Sequence, residues 1–191
     1  MNQQDDLRYM PLTHLINTLG VLAVTFALLV AFYYQLFLHE LPCPLCLLQR
    51  VGFILMGFGF LLNMRFGSSN LHYGMSLLGA LAGAIGSARQ ILLHIIPGTG
   101  AYGSAVLGLH FYSWALVGFI LCVPIVAILL ILETRRSEPR TFINPTKTTL
   151  IVGWLFVAVI AANFLSTTLE CGLGACADDP VFYELLGTSQ E

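Results

Sequence analysis

The sequence predicts an all-α integral membrane protein: a four-helix transmembrane bundle with a fifth transmembrane helix appended. The first observation is compositional. Charged residues make up 9% of the 191-residue chain and apolar ones 57%, and mean hydropathy is +0.83, whereas an ordinary soluble domain is about 25% charged. The second is length, since a helix needs about 20 mostly apolar residues to cross the hydrocarbon. Five stretches meet that need: Leu15 to Leu38, Leu45 to Met64, Leu71 to Ile96, Leu109 to Leu132 and Thr148 to Leu169. The third is the placing of cations, which collect in cytoplasmic loops. Arg8 precedes the first span, Arg65 lies between the second and third, and Arg135, Arg136, Arg140 and Lys147 lie between the fourth and fifth. The expected N-terminus is therefore cytoplasmic and the C-terminus lies outside.

Taken in order, the first span is too long for a signal-peptide core, and no small-residue cleavage site closes it, so it reads as a retained helix. The second opens at "HELPCPLCLLQR", His39 to Arg50. The third carries Gly79 and Gly83 in a Gly-x-x-x-Gly spacing that permits close helix approach. The fourth contains Cys122 in "FILCVPIV", where a lone cysteine reads as a small packing residue. "ETRRSEPRTFINPTK" is the substantial polar linker. It divides the chain into a core at 1–132, a linker at 133–147, and a fifth helix with its tail at 148–191. The basic residues of the linker adjoin two spans, so they read as orientation signals and not as a nucleic-acid site. The last apolar segment, "VFYELL", is expected to lie along the membrane surface.

This topology puts Cys43 and Cys46 on the outer face between spans one and two, and Cys171 and Cys176 on the same face after span five. An outer compartment permits disulfides. Pro44 suits the first position of a helix, which makes Cys43 its N-cap and places Cys46 in its first turn. Unpaired amides and the positive end of the helix dipole favour a thiolate there, and Cys-x-x-Cys at a helix start is a typical redox arrangement. Arg50 lies one turn deeper than Cys46 on the same face. A cation at a membrane edge is costly and points to a functional partner, for which an apolar electron carrier such as a quinone is suitable, with Gln49 as a further donor. The competing reading has Arg50 snorkelling or pairing with Glu40.

Cys-Pro-Leu-Cys followed by Gln49 and Arg50, "GSARQILLH" in span three, and "GLHFYSWALVGF" opening span four together resemble the DsbB (disulfide bond formation protein B) family. The resemblance covers about Leu15 to Leu132. It implies an enzyme that passes electrons from a periplasmic, DsbA-like thioredoxin-fold dithiol protein, through two disulfides, to a membrane quinone, ubiquinone or menaquinone. Carried over, Cys43 and Cys46 are the pair beside the quinone, Cys46 faces it, and Arg50 binds it. Arg89 matches the family arginine of span three, and His94 is a further candidate at the quinone. His110, with His94, flanks the outer loop near the interface, and interfacial hydrogen bonding is the competing role for both. Tyr102, Tyr112 and Trp114 fit an interfacial aromatic belt.

The chain departs from the familiar pattern in its outer loop, "PGTGAYGSAVL", which has no cysteine although that loop carries the partner-facing pair in familiar members. The tail "LECGLGACADDP" supplies another pair on the expected side. Gly172 and Gly174 free the backbone to fold Cys171 against Cys176. These two cysteines are therefore expected to replace the missing pair, with Asp178 and Asp179 disfavouring a thiolate at Cys176. A static disulfide pinning the tail is the competing reading, and a four-cysteine zinc site is opposed by the oxidising compartment. Vitamin K epoxide reductase-like enzymes also join Cys-x-x-Cys to a quinone, but their active pair comes late in the bundle. A non-enzymatic membrane protein with structural disulfides is the remaining alternative.

Overall fold

The computed structural model describes residues 3–96, 98–135, 146–172 and 174–189, with side chains from residue 12 and up to residue 187. Five long helices account for most of them: α1 (Gln3–Phe37), α2 (Pro44–Phe66), α3 (Asn70–Leu93), α4 (Phe111–Thr134) and α5 (Lys147–Cys171). All five contain a stretch long and apolar enough to cross a membrane. The protein is an all-α membrane protein, with two short antiparallel ribbons between and after its helices. These are β1 (Ala105–Val106) with β2 (Leu109–His110), and β3 (Phe182–Tyr183) with β4 (Thr188–Ser189).

The helix ends follow from local chemistry. Cys43, Ser69 and Thr146 cap α2, α3 and α5, each side chain accepting from a backbone N–H of the first turn, which satisfies donors that a helix start leaves free. The third helix ends at Leu93 and the fourth begins at Phe111, and the described residues between them form a loop and a ribbon where the sequence suggested a longer span on each side. The fifth helix runs on to Cys171, two residues past its expected end. Of the polar linker, residues 136–145, with Arg136 and Arg140, lie outside the described residues.

Helix α2 is central, packing against α1, α3 and α5, while α4 packs on α3. Val24, Leu28, Met56, Phe60, Tyr73, Phe119 and Phe156 are among the buried side chains that form the common core. Large apolar side chains point the other way as well, including Ile85, Trp154 and Phe164, the last 75% exposed. In water such a surface would be an aggregation liability, but facing lipid it is the expected exterior. Cys122 packs partly buried against the core, as its apolar setting suggested.

The closest helix contact is α2 on α3, and glycine permits it. A Cβ at Gly79 would stand 2.6 Å from Met56 N, and one at Gly52 2.8 Å from Gly83 Cα, backbone atoms that cannot step aside. Gly74 has nothing within 4 Å of the same position. Gly79→Ala is therefore expected to cost about 1–3 kcal/mol and to lower the unfolding temperature of the solubilised protein, whereas Gly74→Ala leaves it near wild type. Thermal unfolding followed by circular dichroism checks the contrast.

Candidate functional site: a paired thiol on an apolar cavity

Cys43 and Cys46 bring their sulfurs to 2.6 Å, closer than two unbonded sulfurs pack and only a small movement from a disulfide of about 2.05 Å. The helix start causes this proximity, since Cys43 Sγ also accepts from Cys46 N at 3.2 Å. Cys43 is buried and Cys46 is half-buried. The hydrogen bond to Cys46, followed by burial and the nearby Cys46 charge, pushes the Cys43 thiol well above the ordinary cysteine range. It therefore holds its proton at neutral pH.

On the other side of the pair lies Gln90, which the sequence did not single out. Its Nε2 approaches Cys43 Sγ at 3.3 Å and Cys46 Sγ at 3.6 Å, and its Oε1 accepts from Gln49 Nε2 at 2.6 Å. The neighbouring Arg89 is exposed and does not line the cavity beside Cys46. One residue along a helix turns a side chain by about 100°, which is enough to exchange Arg89 for Gln90 at the sulfurs. Of the two adjacent polar residues of α3, Gln90 is thus the one at the sulfurs.

Arg50 enters the protein instead of snorkelling out, and it does not pair with Glu40. Its Nη1 donates to Gln35 Oε1 at 2.8 Å and reaches Asn163 Oδ1 at 3.5 Å, its Nη2 reaches Ala31 O at 3.4 Å, and its guanidinium lies 5.5 Å from the Phe32 ring centre. All its hydrogen-bond acceptors are neutral oxygens, so its positive charge is retained in an apolar setting.

Cys46, Gln49 and Arg50 share one cavity of about 360 Å³. The rest of its wall is mainly apolar or aromatic, with Phe26, Tyr34, Phe53, Phe111, Tyr112 and Trp114 among the lining residues from α1, α2 and α4. Its size and chemistry suit a small, mostly apolar ligand held by a few polar groups. Exposed Phe26 and Trp114 put part of its rim on the surface the helices turn toward lipid.

The cysteine-free outer loop covers this cavity through Tyr102, Gly103, Val106 and Leu107. Glu40 fastens it, accepting from Ser104 N at 3.0 Å and from the Ser104 hydroxyl. Tyr102 donates to Leu41 O at 2.6 Å and Trp114 Nε1 to Val106 O at 2.9 Å. Burial pushes the Tyr102 phenol up from its ordinary value, so it remains a donor. His110 bonds Gly103 O through Nδ1 at 3.0 Å, and His94 stacks on Tyr112 with centroids 5.8 Å apart. Neither histidine lines the cavity.

Cys171 and Cys176 form a disulfide with Cα atoms 4.4 Å apart. Gly172 turns the chain at φ 63°, and Cys171 is buried whereas Cys176 is half-buried. The "VFYELL" segment forms the first strand and turn of the β3–β4 ribbon, folded back on α5 with Val181, Leu185 and Leu186 exposed. Glu184 N donates to Glu170 O at 3.2 Å and Leu185 N to Leu169 O at 3.1 Å. Tyr183 reaches the Arg50 network, its hydroxyl accepting from Gln35 Nε2 at 3.1 Å. Both cysteine pairs therefore stand at the same end of the bundle.

A family model for disulfide bond formation protein DsbB matches residues 13–101. Over this region the chain is similar to DsbB. Proteins called disulfide bond formation protein B resemble it. The one from Nitrosomonas eutropha is 41% identical over 71 residues, covering 35% of this chain and 44% of the relative. That of Xylella fastidiosa strain Temecula1 is 34% identical over 83 residues, 41% and 48% of the two chains. That of Chromobacterium violaceum is 38% identical over 89 residues, 42% and 54%. The chain thus spans about half the length of the curated relatives it matches, and no solved structure matches it. The DsbB match takes in α1 from residue 13, all of α2 and α3 and the start of the outer loop, and so contains Cys43, Cys46, Gln49, Arg50 and Gln90. The tail disulfide lies beyond it.

In the reduced protein, a small alkylating reagent is expected to modify Cys46 in preference to Cys43 at neutral pH. Raising the pH increases Cys43 labelling only beyond the ordinary cysteine range, because the proton it must lose is held more tightly there. Peptide mass spectrometry over a pH series reads both.

Proposed function

We propose that this protein is a thiol:quinone oxidoreductase of a bacterial inner membrane that reoxidises a periplasmic thioredoxin-fold dithiol protein and so supports disulfide formation. The observation that carries the reading is the junction of Cys46, Gln49 and Arg50 on the wall of one apolar cavity. In this orientation exposed Arg65 and Arg135 face the cytoplasm, as the distribution of cations favours, and both cysteine pairs face the periplasm.

The residues fit a quinone by chemistry. The aromatic and aliphatic wall accepts a flat apolar ring, while Arg50 and Gln49 offer donors to its oxygens. When bound, a quinone supplies an acceptor for two electrons and two protons. The neutral partners of Arg50 leave its charge available to electron-rich oxygen, and Cys46 is the sulfur that opens to the cavity. Gln90 holds both sulfurs from the opposite side and the outer loop excludes water.

The tail disulfide receives electrons from the protein partner. A partner thiolate attacks the half-buried Cys176 sulfur and frees Cys171, and the second partner thiol then completes reduction of the tail. The reduced tail exchanges with the Cys43–Cys46 disulfide. Thiol exchange needs an accessible attacking thiolate and a stable leaving thiolate, and Cys176 is more accessible to a partner than Cys171.

Two sets of variants test this function in purified protein. Cys46→Ser abolishes quinone reduction by a small dithiol, and Arg50→Met lowers kcat/KM for the quinone by about 10-fold or more, as expected for loss of a charge-assisted contact. Cys176→Ser abolishes oxidation of the protein partner but spares turnover with the small dithiol. Quinone absorbance follows both reactions. Full turnover in Cys46→Ser would overturn the quinone assignment, and full partner oxidation in Cys176→Ser would overturn the tail relay.

A further inference from the structure

Glu170 is the residue whose burial the proposed relay does not explain. It sits on the last turn of α5 immediately before Cys171, it is 2% exposed, and neither carboxyl oxygen has a hydrogen-bond partner. Burying a carboxyl without partners is expensive, and such a group calls for a specific reason. The β3–β4 ribbon fixes it in place, since Glu184 N binds the Glu170 carbonyl.

The surroundings narrow its role. Among charged and titratable groups, Arg50 and Cys46 of α2 share its electrostatic field, and Tyr102 of the outer loop feels it more weakly. Tyr183 of β3 joins the same field through Arg50. At this level α1 contributes the neutral Gln35, which binds Ser166 one turn before Glu170. The carboxyl thus sits next to Cys171 on the helix that bears the tail disulfide and within electrostatic reach of Cys46 and Arg50. Its free oxygens can accept and return a proton there.

We infer that Glu170 is the general base that carries a proton from the reduced tail to the inner cysteine pair. The inference rests on the tail acting as a relay. One tail thiol gives its proton to a Glu170 carboxylate oxygen, and the resulting thiolate attacks Cys43 Sγ. The Cys43–Cys46 bond breaks with its electron pair leaving on Cys46, which recovers the proton from Glu170. The second tail cysteine then attacks the tail sulfur of the mixed disulfide, and Cys43 leaves with the electron pair and takes that cysteine's proton. The tail is oxidised back to its disulfide and the inner pair is reduced. Two electrons and two protons have moved, one of the protons through Glu170.

The test uses the full chain in lipid nanodiscs, with its tail reduced by a thioredoxin-fold dithiol protein and the quinone omitted. Rapid alkylation and mass spectrometry read the transfer of reducing equivalents from Cys171 and Cys176 to Cys43 and Cys46 in one turnover. Wild type is expected to slow at acid pH as the Glu170 carboxylate is protonated. Glu170→Gln should slow transfer by on the order of 100-fold and abolish that acid limb, and Glu170→Asp should restore part of the rate together with an acid limb. Glu170→Asp also serves as the informative variant if Glu170→Gln fails to fold. Transfer in Glu170→Gln at the wild-type rate, or slower transfer that keeps the wild-type pH profile, overturns the base assignment and leaves the relay standing. Wild-type protein whose tail is reduced but passes nothing to Cys43 and Cys46 overturns the relay and the role of Glu170 together.

Discussion

The fold is organised around a positive charge that an apolar bundle must accommodate. Arg50 enters the protein from the second turn of α2, and its guanidinium is met by Gln35 and Ala31 of α1 and Asn163 of α5. Gln35 spends its remaining amide on Ser166 of α5 and Tyr183 of the tail. One cation therefore fastens three helices and the terminal ribbon at the level of the cysteines. A buried polar network rigidifies its surroundings only when its members are satisfied. Here the hydrogen-bonding is done by neutral amides and carbonyls, which hold the guanidinium in position without cancelling its charge.

That choice of partners separates two roles that a carboxylate would merge. A hydrogen-bonded carboxylate would stabilise Arg50 but would also neutralise the cation on the cavity wall. Glu40, the nearby acid that sequence reasoning offered as a partner, instead receives the Ser104 N–H and hydroxyl and anchors the outer loop. The loop that lacks cysteines thus has a definite structural function. Its hydrogen bonds to Glu40, Leu41 and Trp114 hold Tyr102, Val106 and Leu107 across the cavity.

Much of this was legible in the sequence because its signals are local. Twenty-residue apolar runs identify helices, Pro44 marks the start of α2, and the Cys43–Cys46 spacing needs only one turn to bring the sulfurs together. The rotational setting of α3 was not legible. Arg89 and Gln90 are adjacent, both are polar, and only packing against α2 decides that Gln90 meets the sulfurs. Gln35, Asn163 and Glu170 carried a usable signal, each being a polar residue in or at the end of an apolar span, but their partners are 15, 113 and more residues away along the chain or absent. The ribbon of the tail was not legible either: the apolar content of "VFYELL" suggested a surface-lying segment, and only backbone bonds to Glu170 and Leu169 show that it folds back on the end of α5.

The ribbon also changes how the appended helix should be understood. A disulfide at the end of a free tail would be tethered to the bundle only through α5. Here the Tyr183 hydroxyl joins the tail to Gln35, and Gln35 joins it to Arg50, so the segment bearing Cys171 and Cys176 shares a hydrogen-bond network with the wall of the cavity. Cys171 lies buried at the protein end of that segment and Cys176 lies nearer its surface. In a relay this polarity separates a sulfur accessible to an incoming protein from one held toward the bundle. The same construction would be unnecessary for a disulfide that merely shortens a loose terminus, since the backbone bonds of the ribbon already hold the chain against α5. The arrangement supplies what the proposed exchange function of the tail pair needs, with α5 packed against α1 and α2, where Arg50 and the inner cysteine pair are located.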